Sequence, residues 1–259
     1  MSEFPQIIWM FWNEGFENLP EECLACYNSY KINNPEWDIK VLDFDSLNKF
    51  IDNDNVIIIN KLKENNVSLN HISDVIRLCL LKKNGGVWAD ITTYCNISIN
   101  ELLKNINNKD LIFFCDLNDF KIISSWWLYA KVNCKIIDLW YDKFLAYWKE
   151  NNFKKSEEYY ILHDTFEWLF LNNPYFKSLI INNCLKFDRI EAHKFQYFGL
   201  NNDLDEYAKD YIDNKMTSPI YKLIGSWKGT KINKGNIIHY LFSKSNLLGG
   251  YSYKISYSL

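Results

Sequence analysis

Only nine glycines and five prolines punctuate the 259 residues. That is fewer than an average chain of this length carries, so collagen-like and low-complexity architectures are excluded and each breaker marks a backbone requirement. No apolar run approaches the roughly 18 residues needed to cross a bilayer, and the start, Met1-Ser2-Glu3-Phe4-Pro5, lacks the basic region and apolar core of a signal peptide. The seven cysteines are odd in number and scattered, which suits a reducing compartment better than a disulfide framework; the expected location is cytoplasmic. A positive excess is also missing. With 29 Lys and Arg against 32 Asp and Glu the net charge is -3, so broad attraction to nucleic acid is not expected. There is no Walker loop, no Gly-x-Gly-x-x-Gly after a strand and no Gly-x-Ser-x-Gly elbow, which removes support for NTPase, dinucleotide dehydrogenase and serine hydrolase chemistry.

What is abundant is apolar and aromatic material: 48% hydrophobic residues, with 10 Trp, 17 Tyr and 17 Phe. Such a chain can offset the entropy of its own ordering and folds into a globule. Its charge is unevenly spread. After Asp213 come seven lysines (Lys215, Lys222, Lys228, Lys231, Lys234, Lys244, Lys254) and no acid, so this stretch is +7 and the remainder -10.

Ile7 to Trp12 is a continuous apolar run ended by Asn13-Glu14-Gly15, the pattern of a strand buried on both faces. Asn18 as a cap and Pro20 in the first turn predict a helix from Glu21 to Ile32, halted ahead of Pro35. Trp37 to Leu42 reads as a second strand, and strand, helix, strand predicts a parallel sheet. Short helices are expected within residues 44–69. A buried helix follows from His71 to Lys83, with Ser73 near its start and Gly85 to stop it. Val87-Trp88-Ala89 is a short strand delivering Asp90 to its carboxyl end, and further strands are expected at Leu111 to Cys115 and Trp126 to Ala130. Helices dominate later (Lys135 to Glu150, Tyr159 to Leu171). Without repeat or linker, the chain reads as one domain, an α/β half over residues 1–130 and a helical half with a basic tail over residues 131–259.

Within the predicted helix apolar residues occupy nearly every direction, so Asp74 and Arg77 are charges in need of partners. Three residues apart, they satisfy each other as an ion pair or together present hydrogen-bonding groups to a hydroxylated ligand. Open α/β sheets bind ligands beyond the carboxyl ends of their strands, which is where Asp90 falls.

The segments Ile7-Ile8-Trp9-Met10-Phe11-Trp12, Ser73-Asp74-Val75-Ile76-Arg77-Leu78 and Gly85-Gly86-Val87-Trp88-Ala89-Asp90-Ile91-Thr92 resemble those of the capsular-polysaccharide-synthesis glycosyltransferases. These belong to the sugar transferases that carry a DXD motif on a GT-A fold. The resemblance spans residues 5–98, with a weaker echo at Ser125 to Ala130 and His163 to Phe166. It implies a Rossmann-type nucleotide-sugar-binding sheet flanked by helices, and a donor that is a nucleotide diphosphate sugar, UDP-linked by expectation. By the same resemblance Trp12 stacks on the base, Asp74 and Arg77 hold ribose and sugar hydroxyls, Gly86 belongs to the nucleotide-sugar segment, and Asp90 is the first acid of the DXD motif. Thr92 stands where the second acid would be, which puts dependence on a divalent cation, Mn²⁺ or Mg²⁺, in question.

A departing diphosphate needs its charge met by a cation or by fixed donors. Asp90, the Thr92 hydroxyl and His239 are the candidate metal ligands. Gly225, Gly229 and Gly235, interleaved with Lys222, Lys228, Lys231 and Lys234, suggest a loop over the diphosphate in which Lys228 and Lys231 assist or replace the metal. A third reading sets these lysines, with Tyr251, Tyr253 and Tyr257, against an anionic membrane carrying a lipid-linked acceptor. On the acceptor side, Trp126, Trp127 and Tyr129 are candidate stacking surfaces for a glycan, and Asp116, Asp119 and the His163-Asp164 pair are candidate general bases. Cys23-x-x-Cys26 has no second pair nearby, which disfavours zinc or redox chemistry. The expected activity is glycosyl transfer in surface polysaccharide synthesis. The alternative is a non-catalytic sugar-nucleotide or glycan-binding protein on the same fold.

Overall fold

A computed structural model describes residues 5–104, 106, 109–223, 231–245 and 247. In chain order its strands and helices are β1 (Ile7–Phe11), α1 (Glu21–Asn33), β2 (Asp38–Leu42), α2 (Phe44–Leu47), α3 (Asn53–Glu64), α4 (Leu69–Asn84), β3 (Gly86–Ala89), β4 (Thr93–Cys95), α5 (Ile99–Leu103), β5 (Leu111–Asp116), β6 (Asp119–Ala130), α6 (Lys135–Glu150), α7 (Ile161–Asn172), α8 (Pro174–Asn182), β7 (Cys184–Asp188), α9 (Arg189–Ala192), α10 (Lys194–Phe198), α11 (Glu206–Asp210), β8 (Ile220–Lys222) and α12 (Ile237–Lys244). They form two compact units. One takes the described parts of Met1–Asn18, Glu36–Asp90 and Leu102–Arg189; the other takes Leu19–Pro35, Ile91–Glu101 and the described part of Ile190–Leu259. The units interleave along the chain, so a division at residue 130 does not separate them.

The first unit is built on a six-stranded sheet ordered β2-β1-β3-β6-β5-β7. β1 is parallel to β2 and β3, β5 is parallel to β7, and β6 runs antiparallel to both β3 and β5. The sheet is therefore mixed where the strand, helix, strand pattern predicts a parallel one. A hairpin, not a crossover helix, joins β5 to β6, and a hairpin reverses chain direction. β6 also starts seven residues before the expected Trp126. Its first four residues, Asp119 to Ile122, are only partly covered, while its last eight, Ile123 to Ala130, are buried; Ser124 and Ser125 interrupt the apolar order, so a reading based on continuous apolar runs detects only Trp126 to Ala130.

α4 has ten buried residues, Asp74 and Arg77 among them. A helix apolar on nearly every side has no solvent face to lose, and α4 sits inside the unit's core with Trp9, Trp88, Leu128 and Trp140. Its N-cap is Ser68, whose hydroxyl accepts from the His71 N–H, rather than the region of Ser73. Gly85 ends it at φ +64°, its N–H bonded to the Leu81 carbonyl. Asn18 is not the cap of α1. It ends a one-turn 3₁₀ segment, its side-chain amide donating to the Glu14 carbonyl, and α1 begins after Pro20. Ahead of α4 the expected short helices are α2 and α3.

The second unit has its own core, with Cys26, Tyr94, Phe195, Tyr211, Tyr221, Ile238 and Phe242 among its buried members. Its two strands, β4 and β8, pair antiparallel, with Thr93 opposite Lys222. All seven cysteines are buried free thiols. Burial raises the pKa of both Cys23 and Cys26, the behaviour of inert core residues. Among the described residues no helix is long and apolar enough to cross a membrane.

Candidate active site at the carboxyl edge of the first unit's sheet

β3 is four residues long and buried throughout, so it delivers the next residue, Asp90, to the carboxyl edge of the sheet. β1 lies alongside it in parallel with Trp9 opposite Trp88. Carrying that register forward sets Phe11 beside Asp90 and Trp12 one residue beyond, on strands about 5 Å apart. Trp12 is half-buried, its main chain held by the Leu42 carbonyl at 2.9 Å. Its indole Nε1 is buried without a hydrogen-bond partner among the described residues.

α4 then contributes two charges. Arg77 Nη1 donates to Asp74 Oδ1 at 2.5 Å, and Nη2 donates to Asp90 Oδ1 at 3.2 Å. The indole N–H of Trp88 donates to the same Asp90 oxygen at 2.9 Å, and the guanidinium lies over the Trp88 ring, 5.0 Å from its centroid. The Arg77 side chain is 5% exposed, against 13% for Asp74 and 25% for Asp90. One cation thus serves two carboxylates in a poorly solvated place, and its remaining Nε–H is buried without a partner among the described residues. Asp90 is the member that still meets solvent. The ion-pair and ligand-facing readings of Asp74 and Arg77 are not exclusive, because the pair extends to the edge through Asp90.

On the far side of β3 the antiparallel β6 places Trp127 opposite Ala89, and the Asp90 N–H donates to the Trp126 carbonyl at 2.8 Å. Ser125, two residues before Trp127, therefore lies at the same edge. Its hydroxyl is 3.3 Å from His163 Nε2 of α7. Burial, then the nearby positive charges of Arg77 and Arg189, pull the His163 imidazole down to about pKa 4, so it is neutral at pH 7 and able to hydrogen-bond without adding charge.

Burial pushes the Asp74 carboxyl up to about 6; Arg77 pulls it down and the negative charge of Asp90 adds to the rise. A group raised from 3.8 to about 6 binds its proton more tightly in the fold than in the unfolded chain. Its protonation thus favours the fold as pH falls from about 6 to 4, while the depressed His163 acts in the opposite sense over the same range. The functional consequence is separable. A ligand that bonds to ionised Asp74 should bind at constant strength from pH 7 to 8 and about tenfold more weakly at pH 5, where about a tenth of Asp74 is ionised. Calorimetric titration of a nucleotide sugar against wild type and Asp74→Asn checks this, since the variant should lose the pH dependence.

Other predicted residues take different places. Gly86 belongs to β3, and the β1 backbone presses on it: a Cβ there would lie 2.5 Å from Ile7 Cγ2 and 2.7 Å from the Ile7 carbonyl oxygen. Its glycine is required by strand packing, so no ligand is needed to explain it. Trp127 and Tyr129 are fully buried and Trp126 is 7% exposed, stacked on Phe114 at 4.7 Å. The stacking role expected of all three is corrected on that ground, because no ring face is left open to a sugar. Asp116 closes the β5–β6 turn, accepting the Asn118 N–H at 2.8 Å. Asp164 is exposed on α7, where partial burial and the charges of Glu158 and Glu167 raise its pKa. The turn of the helix brings its neighbour His163, not Asp164, to Ser125.

In the second unit the Thr92 hydroxyl accepts from the buried Lys222 ammonium at 2.5 Å. The ammonium takes one of the two acceptor positions of this oxygen. His239 lies on α12 with its Nδ1 3.4 Å from the Ser243 hydroxyl, and among the described residues no three His, Cys, Asp or Glu side chains converge as metal ligands. At Thr92, where this chain has no second acid, the neighbouring ammonium sets a positive charge that opposes a divalent cation. Lys231 is exposed, with its N–H donating to Asn201 Oδ1; Lys228, Gly225, Gly229, Tyr251, Tyr253, Lys254 and Tyr257 lie outside the described residues. The sequence reading missed the bond from Trp88 to Asp90, although its signal was present: residues two apart on a strand share a face. It also missed the clasp of Lys222 on Thr92, which has no local signal.

Residues 1–242 match the model of a family described as "Capsular polysaccharide synthesis protein". Among solved structures, the glycosyltransferase PaToxG is 16% identical with a TM-score of 0.51, the match covering 83% of this chain and 86% of that one. The galactosyltransferase LgtC, solved with donor and acceptor sugar analogs, is 12% identical with a TM-score of 0.52, covering 94% and 95% respectively. At these identities the likeness is one of fold, that of the GT-A glycosyltransferases. A search of the curated proteins found no matching relative.

Proposed function

This chain belongs to the capsular polysaccharide synthesis family, and from that premise we propose that it transfers a sugar from a nucleotide diphosphate sugar, UDP-linked, to a glycan or lipid-linked acceptor. The observation that carries the reading is the chain of Asp74, Arg77 and Asp90, tied by bonds of 2.5 and 3.2 Å and reaching the carboxyl edge of the sheet. Two carboxylates around one guanidinium leave a surplus of acceptor oxygens, which suits ribose and sugar hydroxyls better than phosphate. In this reading Trp12 stacks on the base one strand away, Asp74 and Arg77 hold the hydroxyls, and Asp90, a quarter of whose side chain is exposed, faces the sugar.

In the reaction the acceptor hydroxyl oxygen forms a bond to the anomeric carbon. The bond from that carbon to the diphosphate oxygen breaks, the diphosphate leaves with the electron pair, and the acceptor proton passes to a base. Charge on the leaving diphosphate is met in this proposal by lysines of the acid-free C-terminal stretch, Lys228 and Lys231, which assist or replace a divalent cation. The protein is expected to act in the cytoplasm, where nucleotide sugars are its substrates.

Donor hydrolysis tests the reading: each common UDP-sugar is offered without acceptor, and free sugar is measured. Wild type should release sugar from one donor. Asp90→Asn should lower the rate about 100-fold, the typical loss for a transition-state hydrogen-bonding group, and Lys228→Ala with Lys231→Ala should raise the donor KM. Donor binding without turnover would identify a non-catalytic sugar-nucleotide-binding protein; neither binding nor turnover with any donor would remove the proposal.

A further inference from the structure

With Trp126, Trp127 and Tyr129 buried, the acceptor side of the proposed reaction lacks an aromatic surface on β6. Of the exposed rings elsewhere in the same unit, which include Tyr159, Tyr160, Trp168 and Tyr175, the first two form a pair in contact with each other. Tyr159 and Tyr160, immediately before α7, are 59% and 56% exposed. Their rings meet edge to face at 4.9 Å, and Tyr160 also packs edge-on against His163 at 5.6 Å. His163 in turn bonds to Ser125 at the sheet edge, so the tyrosine pair is anchored to that edge. Tyr159 lies close enough to Asp74 and Asp90 for their charges to raise its hydroxyl pKa, after the larger effect of burial.

The order of strands fixes on which side of Asp90 this pair lies. β1, with Trp12 at its end, flanks β3 on one side, and β6, with Ser125, flanks it on the other. A ligand laid across the strand ends would pass Trp12, then Asp90, then Ser125, His163 and the tyrosines. If the base of a donor occupies the Trp12 end, the opposite end is where an incoming acceptor approaches the anomeric carbon.

Exposed aromatic rings forgo the gain from burial, which for a buried aromatic is on the order of 2 kcal/mol. Tyrosine rings carry an apolar face beside a polar hydroxyl, and a pyranose has the same division between its C–H face and its hydroxyl rim. The two surfaces match without a charged group in either.

We propose that Tyr159 and Tyr160 form an acceptor subsite on which the terminal pyranose ring of a glycan stacks, across Asp90 from Trp12. The assignment of this ring to the acceptor rests on the transferase reading above; the binding of a pyranose to these tyrosines does not, so the test addresses the two separately. Saturation-transfer NMR with a panel of methyl pyranosides (glucoside, galactoside and N-acetylglucosaminide) reads binding directly. Wild type should transfer saturation to the ring C–H protons of at least one sugar. Tyr159→Ala with Tyr160→Ala should abolish the transfer, while Tyr159→Phe with Tyr160→Phe, which keeps both ring faces, should retain most of it. Circular dichroism and the melting temperature confirm that the variants are folded.

Kinetics then assign the ring. With the matching p-nitrophenyl pyranoside as acceptor, the double alanine variant should raise the acceptor KM at least tenfold and leave acceptor-free donor hydrolysis within twofold of wild type. Equal saturation transfer in wild type and the double alanine variant, or no transfer from any sugar in wild type, would overturn the subsite. A loss of donor hydrolysis matching the loss of transfer would move the rings to the donor and overturn the acceptor assignment. Pyranose binding that depends on the tyrosines, in a protein that hydrolyses no donor, would retain the sugar platform and reject the transferase reading.

Discussion

Arg77→Ala should destabilise the protein by about 3–5 kcal/mol, the loss typical when one partner of a buried ion pair is removed. The reason lies in what remains. Asp74 and Asp90 both pair with this guanidinium, and without it the repulsion between the two carboxylates is no longer offset by their shared cation. For a protein of this size, a melting temperature lower by about 10 °C is the expected reading in a thermal scan. Arg77→Lys should recover little, because a single ammonium lacks the fork that reaches both carboxylates and does not stack on the Trp88 ring as a planar guanidinium does. Adding Asp74→Asn to Arg77→Ala should restore part of the stability, since it removes one of the two stranded charges. Melting at the wild-type temperature in Arg77→Ala would show that the charges are solvated after all, and the electrostatic account of the site would fall with it. Nucleotide-sugar binding should be lost in every one of these variants, including the one whose stability is partly restored; that difference separates the ligand-facing role of Arg77 from its structural one.

Gly86→Ala is the second large effect, and its cause is steric. The residue sits at φ +90°, and an added Cβ would meet Ile7 Cγ2 at 2.5 Å and the Ile7 carbonyl oxygen at 2.7 Å. Unfavourable backbone geometry and overpacking each cost about 1–3 kcal/mol, so about 3 kcal/mol or more is expected in urea unfolding. Gly235→Ala is the internal control. Its φ is +95°, yet nothing lies within 4 Å of the added Cβ, which leaves only backbone strain on the order of 1 kcal/mol. If the two substitutions cost the same, contact with β1 is not what requires glycine at 86. The effect at Gly86 also bears on the site, because β1 and β3 set the spacing of Trp12 from Asp90. A shift of β3 should weaken nucleotide-sugar binding even in conditions where Gly86→Ala remains folded.

Much of the first unit was legible from residue order alone. Apolar runs bounded by turn residues marked β1 and β3, because a strand buried on both faces has no polar position to vary. The length and apolar content of α4, with Gly85 to stop it, located Asp74 and Arg77 on a buried helix, and two charges in such a place must find partners. That much was a local matter of hydrophobicity and hydrogen-bond satisfaction. The family resemblance named Trp12, Asp74, Arg77 and Asp90 as a group, and the fold gathers three of them into one bonded cluster with the fourth at the same sheet edge.

Other features had no local code. The antiparallel course of β6 depends on which strands pair, and pairing is chosen by the whole core. Whether an aromatic residue is a binding surface or part of the core depends on what covers it, so Trp127 and Tyr129 were indistinguishable in sequence from Tyr159 and Tyr160, although the former are buried and the latter exposed. The Thr92 hydroxyl reads as a free oxygen only until the chain, 130 residues later, brings a lysine to it. Composition and hydrophobic order determine which segments are buried and how each one folds, because those are decided within a few residues. Which side chains meet, which of them solvent still reaches, and hence what the edge of the sheet can hold are set by contacts between segments far apart in the chain, and only the tertiary structure decides them.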